Sequence, residues 1–310
     1  MNPAPLRRIR PHLGTYVEIE ASDAGDGAAA AAVDAAFARI AAIEAAMSFH
    51  HPGSELSRLN RDAHRAPQPV GPDTRRVLEH ALTLARLSDG AFDPCVAPRL
   101  VAGRLLPPPD GATPPTGGCW QDIHLLDDGR VGFGRPLWLD LGGIAKGYAV
   151  DQAIETLLAH GARRATVNAG GDLRHACRAP ADRPLPILLR NPADPAALVP
   201  FGQLRNAALA TSGETVLGRT GPDIPLSPLV DPRAGLRPAR ARSVSVWAPT
   251  CWLADGLTKI VALRGLDSQP VLDACGCEAA IIEPDARVHA SPGFWAALEL
   301  SHRPPEPHHA

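Results

Sequence analysis

The segment WLDLGGIAKGYAVD, Trp138 to Asp151, crowds a carboxylate (Asp140), a glycine pair (Gly142 and Gly143) and a lysine (Lys146) against the start of a helical pattern. Glycines at a helix mouth let backbone approach a ligand and leave amide N–H groups free, which suits a pyrophosphate or a bound ion. The same residues also read as a tight strand-to-helix turn with a surface lysine. GGIAKG lacks the G-x-x-x-x-G-K-[ST] spacing and NAGGDLR lacks G-x-G-x-x-G, so neither a P-loop nor a Rossmann fingerprint is present.

The company of this segment decides between the two readings. SELSRLN (Ser54 to Asn60), GAFDPCVAPRL (Gly90 to Leu100), LDLGGIAKGYAVD, VNAGGDLR (Val167 to Arg174), ATSGE (Ala210 to Glu214), VDPRAG (Val230 to Gly235) and ADGLTK (Ala254 to Lys259) follow one another in a single order. Together they resemble the ApbE family, the FAD:protein FMN transferases once labelled thiamine-biosynthesis lipoproteins, and the resemblance runs from LGTYVEIE to SPGFWAAL.

The resemblance implies an α+β fold of two related halves with the flavin site between them. It implies FAD as substrate, Mg²⁺ as the ion that helps break its pyrophosphate, FMN joined through a phosphoester to a threonine of an acceptor protein, and AMP as leaving group. By position, Phe49 matches the aromatic that covers the flavin, and Ala91, Phe92 and Asp93 match the flavin-contacting AFD. Leu13 stands where the family often has Met, and Val230 lies beside the apolar flavin contact. Asp140 and Lys146 match the flavin-contacting acid and base. The carbonyl of Gly143 falls at a metal-ligand position, and Asp255 matches the metal-binding aspartate. Lys146 and Asp255 are thus the expected catalytic residues. Phosphoryl transfer asks chiefly for positioning and for neutralised phosphate oxygens, which a hard cation in an oxygen site supplies.

Two positions depart from the family. Pro228 stands where many members have His before the Asp of their DPRTG motif. Lys259 stands where many have Thr four residues after the metal aspartate, with Thr258 one place earlier. Residues three and four apart on a helix share a face, so Thr258 is expected to reach the ion; the other arrangement puts the Lys259 ammonium where Mg²⁺ would sit. These departures carry a second reading, a flavin-binding protein or weak FAD hydrolase that has lost transfer. A third is a structural protein whose glycine turns are folding devices. Bland roles also exist for single residues: Asp93 before Pro94 is a common turn starter, and Asp255 in an early helical turn offsets the dipole.

These side chains need elements to hold them. GTYVEIE alternates as an opening strand, and Val33, Phe37, Ile40, Ile43 and Met47 recur at helical spacing through DGAAAAAVDAAFARIAAIEAAMSF. TRRVLEHALTLARLSDG predicts a second helix stopped at Gly90. Short strands are expected at DIHLL, RVGF and PLWLD, then a helix from Ile144 to His160 closed by Gly161. RATVNAGGDLRHA reads as strand, turn, strand. LPILLR, FGQLRNAALATS and ARSVSVWAP are further strands, CWLADGLTKIVALRG is a helix ending at Gly265, and EAAIIE pairs with RVHA. With few βαβ alternations, the expectation is α+β with mixed, largely antiparallel sheets. One domain is expected over 1–310, with a proline- and glycine-rich loop near 101–118 and no dividing linker.

The chain carries 31 Lys+Arg against 33 Asp+Glu, a formal charge of -2, without a basic stripe interleaved with aromatics, so a nucleic-acid partner has little electrostatic support. The six cysteines form no C-x-x-C pair that would hold structural zinc. Apolar stretches break well short of the roughly 18 to 20 residues of a membrane helix. The start MNPAPLRRIRPHLGTYVEIE shows neither a signal-length apolar segment nor a lipobox-like cysteine, so a cytoplasmic location is expected. The expected partner is a flavin-acceptor protein.

Overall fold

The computed structural model describes residues 5–22, 28–109, 112–179, 182–192, 194, 198–213, 227, 229–236 and 242–299. The chain opens with a hairpin of β1 (Leu6–His12) and β2 (Thr15–Ser22). Its two-residue turn, Leu13 and Gly14, has φ of 56° and 71°. Positive φ at both positions matches the twist of the flanking strands. Then come α1 (Ala28–Met47), α2 (Glu55–Asp62), β3 (Gln68–Pro69), α3 (Pro72–Leu87), α4 (Ala97–Ala102), β4 (Ile123–Leu125) and β5 (Arg130–Phe133). The second part runs through α5 (Ala145–Ala159), the β6 (Arg164–Ala169) and β7 (Asp172–Cys177) hairpin, β8 (Leu185–Arg190), β9 (Leu198–Leu204), β10 (Ala207–Gly213) and β11 (Ser243–Ala248). It ends with α6 (Cys251–Arg264), α7 (Gln269–Cys275), β12 (Glu278–Ile282), β13 (Val288–Ala290) and α8 (Phe294–Ala297).

The main sheet has the order β1-β2-β6-β7-β10-β11-β12-β13, and each neighbouring pair is antiparallel. Mixed helices and antiparallel sheets are as expected. Along β10 and β12 successive residues feed two different cores. Ala208, Ala210, Ala279 and Ile281 face the main core, whereas Leu209, Ala280 and Ile282 meet Phe201, Leu204, Phe294 and Leu298 on the other side. The period of two explains why Ala279 to Ile282 is apolar without interruption, since both faces of that strand are covered.

α5 and α6 lie in the middle of the main core. α5 buries Gly147 to Asp151 without a break, and α6 buries Ala254 to Thr258. A helix apolar all round is one surrounded by protein. Their close approach requires Gly147, because a Cβ there would overlap the Cys251 carbonyl oxygen and stand 2.8 Å from Asp255 Cβ.

Three local expectations are corrected. LRRIRPH, not assigned to any element, is the edge strand β1, whose Arg8 and Arg10 reach Asp34 of α1. FGQLRNAALATS is not one strand; it breaks at Arg205 and Asn206, the latter with φ of 46°. PLWLD is not a strand. Its backbone groups go elsewhere: Leu139 N–H donates to Asn60 Oδ1 (2.7 Å), Asn60 Nδ2 donates to the Leu139 carbonyl (3.0 Å), and Asp140 N–H donates to the Pro94 carbonyl (2.8 Å). Paired this way, the segment needs no sheet neighbour.

Candidate functional site

A cavity of about 570 Å³ opens at the mouth of α5. The β1–β2 turn supplies Leu13, the chain after α1 supplies Phe49, and the chain after α3 supplies Ala91, Phe92 and Asp93. Asp140, Gly143 and Lys146 come from the entry to α5, and Val230 from VDPRAG. All of these line the one cavity. Asp255 and Thr258 do not; both are fully buried beneath it, and Lys259, which does line it, lies over them. Pro228 and Glu214 lie outside the described residues.

One wall is apolar. Phe49, Phe92, Val230 and Leu100 offer a surface on which a flat aromatic ring can lie without stranding polar groups. Phe92 is set by its N–H donating to Ser88 Oγ (3.0 Å). Asp93 is committed to backbone: Oδ1 accepts from Cys95 N–H (2.8 Å) and Oδ2 from Trp120 N–H (3.3 Å). Its carboxylate therefore shapes the AFD turn, while the segment's apolar atoms face the cavity. Burial raises its pKa against those two bonds.

A second part of the lining is ionic. The Lys146 ammonium pairs with Asp172 and stands 4.0 Å from Asp255 Oδ1. The Lys259 ammonium pairs directly with Asp255 Oδ1. Gly147 N–H, one of the free amides of the α5 first turn, donates to Asp255 Oδ2 (3.0 Å). Burial alone would raise Asp255, but Lys146 and Lys259 hold it below the ordinary carboxylate value, so it is ionised at neutral pH. Asp172 moves upward, through burial first and the Asp255 charge second, against the pull of Lys146 and Lys259. Burial lowers Lys146, yet Asp255 and Asp172 outweigh it and keep this ammonium protonated. Asp140 is raised by burial, with the Gly142 N–H at 3.1 Å opposing. Asp172 and Asp255 each hold one ammonium, and both lysines line the cavity together with Asp140.

Whether a divalent ion fits is decided by what already occupies the oxygens. Both Asp255 oxygens are engaged, Oδ1 by Lys259 and Oδ2 by Gly147 N–H. Thr258 Oγ1 donates to the Asp255 carbonyl (2.7 Å) and is bonded to Ser212 Oγ (2.8 Å). Among the described residues no three His, Cys, Asp or Glu side chains converge on a metal-sized site. With Lys259 in place, Gly143, Asp255 and Thr258 do not fit the ion expected of them.

Reading residues singly missed three parts of this arrangement. Asp172 is 1% exposed and carries the partner charge for Lys146. Ser212 joins Thr258, and Asn60 clamps the backbone ahead of Asp140. Each stood inside a quoted motif (VNAGGDLR, ATSGE, SELSRLN), and that membership was the available signal.

The whole chain is similar to proteins of one kind. The model of the ApbE family matches residues 13–281. The FAD:protein FMN transferase of Treponema pallidum (strain Nichols) is 30% identical over 296 residues, covering 85% of this chain and 80% of that protein. The corresponding transferase of Haemophilus influenzae is 27% identical over 276 residues, covering 82% and 79%. Among solved structures, the ApbE protein of Thermotoga maritima superposes with a TM-score of 0.82 at 25% identity, covering 95% of this chain and 99% of that one. The flavin transferase ApbE of Vibrio cholerae gives 0.78 at 26%, covering 94% and 99%. A family match over most of its length, on a shared fold that gathers the ordered motifs around one cavity, means that this chain belongs to the ApbE family.

Proposed function

We propose that this chain is an FAD:protein FMN transferase acting as a single unit, with a threonine of a protein acceptor receiving the FMN. The observation that carries the reading is the pairing, in one 570 Å³ cavity, of an apolar wall with an ionic wall bearing Lys146 and Lys259. The first suits an isoalloxazine ring and the second a diphosphate. Relatives matched over most of the chain bear that activity in their names.

In the proposed reaction the acceptor hydroxyl oxygen forms a bond to the FMN phosphorus. The phosphoanhydride bond to the AMP phosphate breaks, AMP leaves with that electron pair on its oxygen, and the hydroxyl proton is released to solvent. The protein's part is positional and electrostatic. Phe49, Phe92 and Val230 orient the flavin. Asp140 faces its polar edge at the helix mouth. The lysines meet the phosphates. Magnesium belongs to the family pattern, but the oxygens that would hold it are engaged by Lys259 and Gly147, so no step is routed through it.

No helix among the described residues is long and apolar enough to cross a membrane. The test is incubation with FAD and a threonine-containing acceptor peptide, followed by mass spectrometry. An FMN adduct with one AMP released per adduct is expected. AMP released without adduct would favour the hydrolase reading, and FAD bound unchanged would favour the binding-only reading.

A further inference from the structure

The Lys259 ammonium sits in a cage made wholly of oxygens. Besides Asp255 Oδ1, its neighbours are the Asp255 carbonyl (3.1 Å), Thr258 Oγ1 (3.1 Å) and Ser212 Oγ (3.4 Å). Carboxylate, carbonyl and hydroxyl are the donors a hard cation selects. The lysine stem is seated as well: a Cβ built on Gly143 would lie 3.5 Å from Lys259 Cε and 3.7 Å from Cγ, beside Phe92 at 3.6 Å. These are ordinary van der Waals separations, so the stem runs alongside Gly143 and Phe92 at the helix mouth. The lysine side chain is 20% exposed and its open side is the cavity.

We infer that Lys259 is a tethered cation that takes the place of the divalent ion, so that this chain binds and positions the FAD diphosphate without added metal. The inference rests on the flavin reading above and deepens it. An ammonium held on a buried carboxylate is prepaid in orientation and presents N–H donors to phosphate oxygens. The fixed stem also places that charge without the dehydration that a magnesium ion resists. Lys146 adds a second ammonium to the same wall, but it pairs with Asp172 rather than filling this oxygen cage.

The test compares wild type, Lys259→Thr and Lys259→Arg, each first checked for a cooperative melt. Binding of riboflavin and of FAD is measured by flavin fluorescence in EDTA and across a Mg²⁺ titration, alongside the melting temperature without flavin. Riboflavin has no phosphate and reports the apolar wall alone. Wild type is expected to bind FAD with the same affinity, within about twofold, in EDTA and in Mg²⁺, and to show no Mg²⁺ shift in melting temperature. Lys259→Thr should keep its riboflavin affinity and lose at least about tenfold in FAD affinity in EDTA. It should regain that in Mg²⁺, which should also raise its melting temperature by about 2 °C or more. Lys259→Arg should stay metal-independent.

FAD binding by wild type that collapses in EDTA and returns with Mg²⁺ overturns the inference and leaves the flavin reading standing. Unchanged FAD affinity of folded Lys259→Thr in EDTA does the same. Failure of folded wild type to bind either flavin overturns the flavin reading and this inference with it. If Lys259→Thr does not fold, wild type and Lys259→Arg decide: metal-dependent FAD binding by both overturns the inference, and metal-independence of both supports it.

Discussion

Asp151 and Asp255 occupy matching places on the two central helices. Asp151 follows Gly147 by four residues on α5, and Asp255 follows Cys251 by four on α6. The helices then exchange bonds: Gly147 N–H donates to Asp255 (3.0 Å), and Cys251 N–H donates to Asp151 (2.9 Å). Each aspartate thus satisfies a first-turn amide of the other helix. The counter-charges differ. Asp151 also takes the Trp252 N–H (2.9 Å) and meets Arg174, which is shared with Glu155. Asp255 meets two lysines, both of which line the cavity. One backbone device therefore serves as a cap at one end and as a seat for a cation at the other. A buried aspartate in this helix pair is not by that fact a site residue.

The largest effects should come from removing either carboxylate. Asp151→Ala leaves two α6 amides without acceptors and Arg174 without its buried partner. A loss of about 3–5 kcal/mol in urea unfolding is expected, with FAD affinity of the remaining folded protein unchanged. Asp255→Ala should cost a similar amount, because it strands Lys259 and the Gly147 N–H, and should also abolish FMN transfer. Equal transfer rates in the two variants, measured at matched folded concentration, would erase the distinction.

Gly147→Ala tests the contact that makes the exchange possible. Its Cβ would press on the Cys251 carbonyl and Asp255 Cβ, so a loss of about 1–3 kcal/mol is expected by the same unfolding measurement. No loss would mean that the helices separate freely.

Asp140→Ala should do the reverse. The Asp140 carboxylate accepts the Gly142 N–H within its own turn, so melting should hardly move, while FAD affinity falls about tenfold, or about 1.4 kcal/mol. Isothermal titration of both flavin and protein stability separates the outcomes; unchanged affinity would remove Asp140 from the site.

The smallest effect belongs to pH at the Asp151 end. His80 stacks on Trp252 with ring centroids 3.7 Å apart, and burial first, then Arg76, lowers its pKa from 6.5 to about 4. Its folded value lies below the unfolded one, so its contribution is present above about pH 6.5 and is lost as pH falls toward 4. His80→Phe should keep the stack and flatten that acid limb in denaturation curves. Identical pH profiles for the variant and wild type would show that the imidazole stays solvated.

Much of this was legible one residue at a time. Val33, Phe37, Ile40, Ile43 and Met47 marked the buried stripe of α1, Gly161 and Gly265 marked helix ends, and the order of short motifs marked the family. Each signal is local, since periodicity and positive φ are properties of a few consecutive residues. PLWLD has the composition of a strand and is not one, because the Asn60 side chain from α2 supplies the pairing a neighbouring strand would have given. β1 has arginines where a core strand would not, because only one side of that edge strand is covered.

By itself the sequence determined that a carboxylate, glycines and lysines would stand at a helix mouth within an α+β chain of this family. It also placed Lys259 where a threonine is usual. Tertiary structure alone decided which charge meets which: that Lys146 serves Asp172, that Lys259 serves Asp255, and that Asp151 caps a helix that starts 100 positions away. The reason is physical. Helical spacing fixes the face on which a side chain lies, but the partner of a buried charge is set by which other elements pack against that face.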